Sequence, residues 1–276
     1  MAVDWRSPVG TPSLSLDDNE LARDYDRISS TRQFEAGKRL IEDIKLRMGE
    51  RVLDVGCGTG LLAEYIADIV GPSGYVLGID PLPLRIELAA AKARANLAFK
   101  VGDAYDLEGL PDASFDVIVL NAVFHWLPQK TGPLLAFARL LRPGGRIGIS
   151  TALKGHRTRL QEIVASVLAE PQFARYPRPR ESLTFRVDGE ELRALFETTG
   201  FAATQIEMRE NEQRFPSAEA AIRFSEASSF GNFLGHLPDD LKFRARSIIR
   251  QRLTAITTAD GILQHGRRLV AVAVRK

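Results

Sequence analysis

Between residues 51 and 151, short apolar segments alternate with amphipathic ones, and no other feature of the chain narrows its fold as far. Residues 51–55, 74–80, 97–101, 115–120 and 146–151 read as strands. The run at 115–120 is continuously apolar, as a strand buried on both faces must be. Helices are expected over 61–70, 83–95 and 134–141. Strands spaced by helices in this way cannot pair as hairpins. They build βαβ units, and so a parallel sheet with helices on both faces. The fold class is α/β, a doubly wound sheet.

The flanks have a different rhythm. Residues 1–19 are rich in Pro, Ser, Gly and Asp and read as a loose arm, and 20–47 read as two helices separated near Ser29 and Ser30. After 151, helices are expected over 160–169 and 189–199, the latter closed by Gly200, with an irregular stretch over 171–179. Strands are expected over 201–208 and 267–274. The nearly sixty residues between them are too many for a hairpin loop and carry helical patterns over 218–227 and 239–256. They read as an inserted helical cap over about 210–265. The expected organisation is therefore 1–47 as arm and lid helices, 48–151 as the core, and 152–276 as the rest of the fold with its cap.

Composition excludes several function classes. The 37 basic and 35 acidic residues leave a net charge of +2, no electrostatic footprint for a nucleic-acid binder. One cysteine, Cys57, permits neither an internal disulfide nor a cysteine metal cluster, and no metal-ligating constellation is read. No apolar run approaches the roughly 20 residues of a membrane span. The N-terminus lacks the basic-then-apolar pattern of a signal peptide, so the cytosol is expected.

Four motifs carry the chemistry. The first is Asp54-Val55-Gly56-Cys57-Gly58-Thr59-Gly60. A strand ends in an acid, then three alternating glycines turn the chain into a helix. Glycine allows a sharp turn and close approach to a ligand. The spacing is not that of the dinucleotide fingerprint, and no Gly-Lys-Ser/Thr of a phosphate loop follows. An acid before the glycines repels pyrophosphate and suits a ligand with an ammonium group. The second motif is Gly78-Ile79-Asp80, whose carboxylate can accept both hydroxyl hydrogens of a ribose. The third is Val101-Gly102-Asp103-Ala104, able to accept from an exocyclic amine and donate to a ring nitrogen. The fourth is Leu141-Arg142-Pro143-Gly144-Gly145, the turn before the fifth strand.

In this order and spacing, over about residues 20–151, the motifs resemble the class I S-adenosylmethionine-dependent methyltransferases. They look most like the branch that contains ubiquinone and menaquinone methyltransferases. The resemblance implies a Rossmann-like sheet of about seven strands with the last antiparallel, N-terminal helices, and S-adenosylmethionine as cofactor, leaving as S-adenosylhomocysteine. It implies that Gly56, Gly58 and Gly60 pass under the methionine and ribose, that Asp54 holds the ammonium and that Asp80 holds the ribose. Pro81 and Leu82 would flank the adenine, Asp103 and Ala104 would read its edge, Asn121 would contact the methionine end, and Tyr25 would close over the cofactor.

The acceptor expected is a small apolar or aromatic metabolite, with no nucleic acid or membrane partner; a homodimer is left open. A protein acceptor and a non-catalytic cofactor-binding regulator are the alternatives. Strand four ends Asn121-Ala122-Val123-Phe124, without the two prolines usual in enzymes that methylate base amines. His125 follows where ligands of an open sheet lie and is the candidate base, weighed against packing within its loop. Phe215, Phe224, Phe230, Phe233 and Phe243 are expected to split between the cap's core and an acceptor pocket. The arginines at 175, 178, 180, 244, 246, 250 and 252 read as solvated faces and turns.

Overall fold

The structure, a computed structural model, describes residues 14–178 and 184–276. Its strands are β1 (Arg51–Val55), β2 (Tyr75–Asp80), β3 (Leu97–Val101), β4 (Phe115–Asn121), β5 (Leu141–Ala152), β6 (Phe201–Phe215) and β7 (Ile262–Arg275). They form one seven-stranded sheet in the order β3-β2-β1-β4-β5-β7-β6. The first five pair in parallel, and β7 runs antiparallel between β5 and β6.

Side chains alternate across the sheet, and both faces are covered. Val52, Val117 and Val119 pack on one face with Leu40 and Ile44 of α2 (Ser30–Ile44) and Ile66 and Val70 of α3 (Leu61–Val70). Leu53, Ile118 and Leu120 pack on the other with Phe137 of α5 (Thr131–Leu140) and Phe196 of α8 (Gly189–Thr198). Burial of each large aliphatic side chain of α2 contributes about 1.5–3 kcal/mol, which anchors the N-terminal helices to the sheet. The helix α4 (Pro83–Ala90) follows β2 and ends earlier than the expected 95.

Three expectations are corrected. Residues 1–13 of the expected arm lie outside the described residues, but 14–18 are not loose. Asp18 caps α1 (Asn19–Asp24) through the Leu21 N–H at 2.8 Å, and Asp17 meets Arg85 at 3.4 Å. The break near Ser29 and Ser30 is instead a π-helical turn, Tyr25–Ser29, that joins α1 to α2 with helical backbone throughout. The irregular stretch after 170 contains a short helix, α7 (Pro171–Ala174).

The strands β6 and β7 are longer than their apolar patterns. β5 pairs with β7 only as far as Ala152 with Arg268, whereas β6 and β7 stay paired out to Phe215 with Ile262. The extra length projects as a two-stranded ribbon past the carboxyl end of β5. It carries α9 (Ala218–Ser228) and α10 (Asp239–Thr254) over that end of the sheet. Ile222, Ile249 and Leu253 pack there with Phe173 and with Leu160 and Val167 of α6 (Arg159–Leu168), so residues well before 210 complete the cap's core. Among the described residues no helix is long and apolar enough to cross a membrane.

Candidate active site

The glycine turn is fixed by its neighbours' backbone. The N–H groups of Gly56 and Cys57 both donate to the Ile79 carbonyl, at 2.7 and 2.9 Å. Gly56 and Gly58 adopt φ of 72° and 57°, and a Cβ on them would stand 2.2 Å from Val123 and 2.9 Å from the Tyr25 ring. Gly60 plays a different part. It begins α3, and its open side faces Phe99 of β3 rather than a cleft.

Two buried acids flank the turn. Asp80 accepts from the N–H of Gly58 at 2.9 Å and from that of Leu82 at 3.0 Å, stitching two strand-end loops together. Burial raises its pKa, opposed by Arg85 and by those two N–H groups. Asp54 is 2% exposed, and its Oδ2 has no partner among the described residues. Burial, then the charge of Asp80, pushes its pKa up to about 7. Asp54 faces a cavity of about 30 Å³ shared with Tyr25, Gln33 and Asn121. A carboxyl with an idle oxygen beside such a turn fits an ammonium ligand, because a buried acceptor left unmade costs free energy.

A cleft of about 2090 Å³ opens over the carboxyl ends of the strands. Tyr25, Gly56, Asp80, Pro81, Leu82, Asp103, Ala104, Asn121 and His125 all line it. Asp103 is exposed, and its Oδ1 accepts from Tyr105 N at 2.6 Å and Asp106 N at 3.0 Å, an ordinary Asx turn that leaves one oxygen uncommitted. Asn121 donates to the Gln33 carbonyl at 2.7 Å, tying α2 to the tip of β4. The Tyr25 ring lies on the glycine turn and under the Arg85 guanidinium, 3.9 Å away. Arg85 also donates to the Ala227 carbonyl at 2.9 Å, and so joins the N-terminal segment to the cap. Burial pushes the Cys57 thiol well above its usual range, which leaves it inert.

His125 meets the end of β5 through one ring nitrogen. The Ala152 N–H donates to its Nδ1 at 3.4 Å, and the Thr151 hydroxyl lies 3.0 Å from the same nitrogen. Burial, then Arg268, Arg186 and Lys130, hold its pKa well below the usual value. The ring is therefore held neutral.

Several lining residues carried no signal in the sequence. Arg268 contacts Ser150 Oγ at 2.8 Å, Asn121 Oδ1 at 3.3 Å and Gln33 Oε1 at 3.4 Å, all neutral. Burial lowers its pKa to about 10. Trp126 packs on Phe230 of the cap with ring centroids 4.7 Å apart. Phe215, Phe224, Phe230 and Phe233 line the cleft, but Phe243 is 75% exposed and belongs to neither core nor pocket. Arg178 lines the cleft and is not a solvated turn residue; Arg180 lies outside the described residues.

Comparisons with known proteins agree with this architecture. Residues 53–149 match the family described as a methyltransferase domain. Nocamycin O-methyltransferase of Saccharothrix syringae is 31% identical over 200 residues, 67% of this chain and 71% of that protein. Demethylmenaquinone methyltransferase of Staphylococcus aureus is 28% identical over 202 residues, 67% of this chain and 83% of that protein. The structure of a SAM dependent methyltransferase from Aquifex aeolicus superposes with a TM-score of 0.52 at 22% identity, covering 68% of this chain and 91% of that one. The sheet order, the glycine turn between two buried acids and these likenesses make the chain a member of the class I S-adenosylmethionine-dependent methyltransferases, similar to their small-molecule branch.

Proposed function

We propose that the cleft binds S-adenosylmethionine across the carboxyl ends of β1, β2 and β3 and methylates a small apolar or aromatic acceptor beneath the cap. The unpartnered Oδ2 of buried Asp54 beside the glycine turn carries this reading. Asp54 holds the ammonium, and Arg268, which meets no carboxylate among the described residues, holds the carboxylate of the methionine end. Gly56 and Gly58 let the backbone approach, while Gly60 shapes the turn. Asp80 takes the ribose, Pro81 and Leu82 flank the adenine, and Asp103 and Ala104 read its edge. Asn121 positions the methionine end, and Tyr25 covers it. When bound, the cofactor would supply a sulfonium methyl, to whose carbon an acceptor lone pair would bond as the carbon–sulfur pair leaves with sulfur. The cap and lid exclude water, and the site aligns donor and acceptor.

Asp54 gives the reading a pH signature. Its pKa of about 7 lies above the ordinary unfolded value of about 3.9. Between those values the free folded chain holds a proton that the unfolded chain releases, so this group's contribution to stability falls as pH rises through the window. A bound ammonium favours the ionised carboxylate. Affinity for S-adenosylmethionine should therefore rise from about pH 5.5 to about pH 7.5, measured by calorimetry, and Asp54→Asn should lower affinity and flatten the profile. A flat profile in the unmodified protein would remove Asp54 from the cofactor site.

For His125 the prediction separates two roles. Loss of a general base costs about 10²–10⁴ in rate, whereas loss of one hydrogen-bond donor costs about tenfold. His125→Ala should lower turnover about tenfold and leave S-adenosylhomocysteine affinity unchanged. The parent's rate profile should show no limb near the usual histidine pKa of about 6.5. A limb there, with a thousandfold loss in the variant, would restore the base.

A further inference from the structure

Several arginines outside the cleft pair with carboxylates: Arg146 meets Glu50 at 2.8 Å, Arg209 meets Asp43 at 2.7 Å and Arg223 meets Asp24 at 2.6 Å. Arg178 and Arg186, on the cleft wall, meet no carboxylate among the described residues. The Arg178 Nη2 donates to the Phe233 carbonyl at 2.6 Å, and its buried Nε has no partner among the described residues. Beside it, the buried Nδ1 of His236 is also unpartnered. Arg186 donates to the His156 carbonyl at 2.6 Å and to Thr184 Oγ1 at 3.2 Å, both neutral. Burial lowers the pKa of both guanidiniums, and for Arg186 the charge of Arg157 adds to it. Among the described residues, the acids that line the cleft are Asp80 and Asp103 on the proposed cofactor side and Glu162, which is already paired with Arg159 at 3.3 Å.

A guanidinium withdrawn from water without a counter-charge is costly, and a ligand that brings the charge offsets that cost. The planar fork matches a carboxylate. Phe215, Phe224, Phe230 and Phe233 supply an apolar wall in the same cleft. We infer that the acceptor is an organic carboxylate with an apolar or aromatic body, its anion held by Arg178 and Arg186. This rests on the methyltransferase reading above.

The test titrates the full chain, saturated with S-adenosylhomocysteine, with 2-naphthoate, its neutral isostere 2-naphthamide, and 2-naphthyl phosphate. Naphthoate should bind about tenfold or more tightly than the amide, the scale of a charge-assisted pair. Arg178→Met and Arg186→Met should each remove most of that preference without changing S-adenosylhomocysteine affinity, and Arg178→Lys should keep part of it. Equal binding of naphthoate and naphthamide, no naphthoate binding, binding of the phosphate alone, or a preference intact in both methionine variants would overturn the inference. Failure of S-adenosylhomocysteine itself to bind would instead overturn the cofactor reading, and this inference with it.

Discussion

Replacing Asp80 with alanine is expected to weaken S-adenosylmethionine binding roughly a hundredfold or more, on the scale of two lost charge-assisted hydrogen bonds. The effect has two sources. The ribose loses its acceptor, and the N–H groups of Gly58 and Leu82 lose the carboxylate that holds both loops in place. Asp80→Asn separates them, because its single carbonyl oxygen can accept from only one of these N–H groups and its amide opposes the other. Its affinity should fall between the parent and the alanine variant. Calorimetry reads the affinities, and thermal unfolding checks that the variants fold. Normal cofactor affinity in Asp80→Ala would show that the ribose binds elsewhere.

Gly56→Ala is expected to damage both fold and site. Its φ of 72° costs an alanine about 1–2 kcal/mol. Its Cβ would stand 2.2 Å from a Val123 methyl, and overpacking of this kind costs about 1–3 kcal/mol more. The sum lowers the unfolding midpoint by roughly 5–15 °C for a chain of this size. Cofactor binding should be lost as well, because the shift falls in the turn that faces the cleft. Adding Val123→Ala should recover the clash but not the backbone strain, so about half of the stability should return. Gly132→Ala, where a Cβ would meet nothing within 4 Å, is the neutral control. An unchanged midpoint in Gly56→Ala would mean that the turn is more pliant than its contacts imply.

The parallel half of the sheet was legible because Leu53, Ile118 and their neighbours must be apolar wherever both faces are covered, and that requirement is local. The glycine turn was legible for the same reason: a tight strand-to-helix turn restricts each residue within it. The ribbon beyond Arg268 was not. Residues 209–214 alternate mostly polar side chains, and they are a strand only because β7 pairs with them across about fifty to sixty residues of chain. The cap's debt to α6 and α7 is equally non-local. His125 could be placed at the cleft from its position after strand four. Its ring contacts depend on Thr151 and Ala152, twenty-six and twenty-seven residues away. Arg178, Arg186 and Arg268 look like any surface arginine in sequence, and what sets them apart is a place on the cleft wall with only neutral partners among the described residues.

The central claim is that this chain transfers a methyl group from S-adenosylmethionine to a small molecule, and one experiment tests it most directly. The protein is incubated with methyl-labelled S-adenosylmethionine and a cell extract, which is then separated into organic-extractable small molecules, protein and nucleic acid. Label in a small molecule, absent when Asp80→Ala replaces the parent, is the result expected. Label in protein or nucleic acid, or no transfer to any fraction while the cofactor binds, would contradict it.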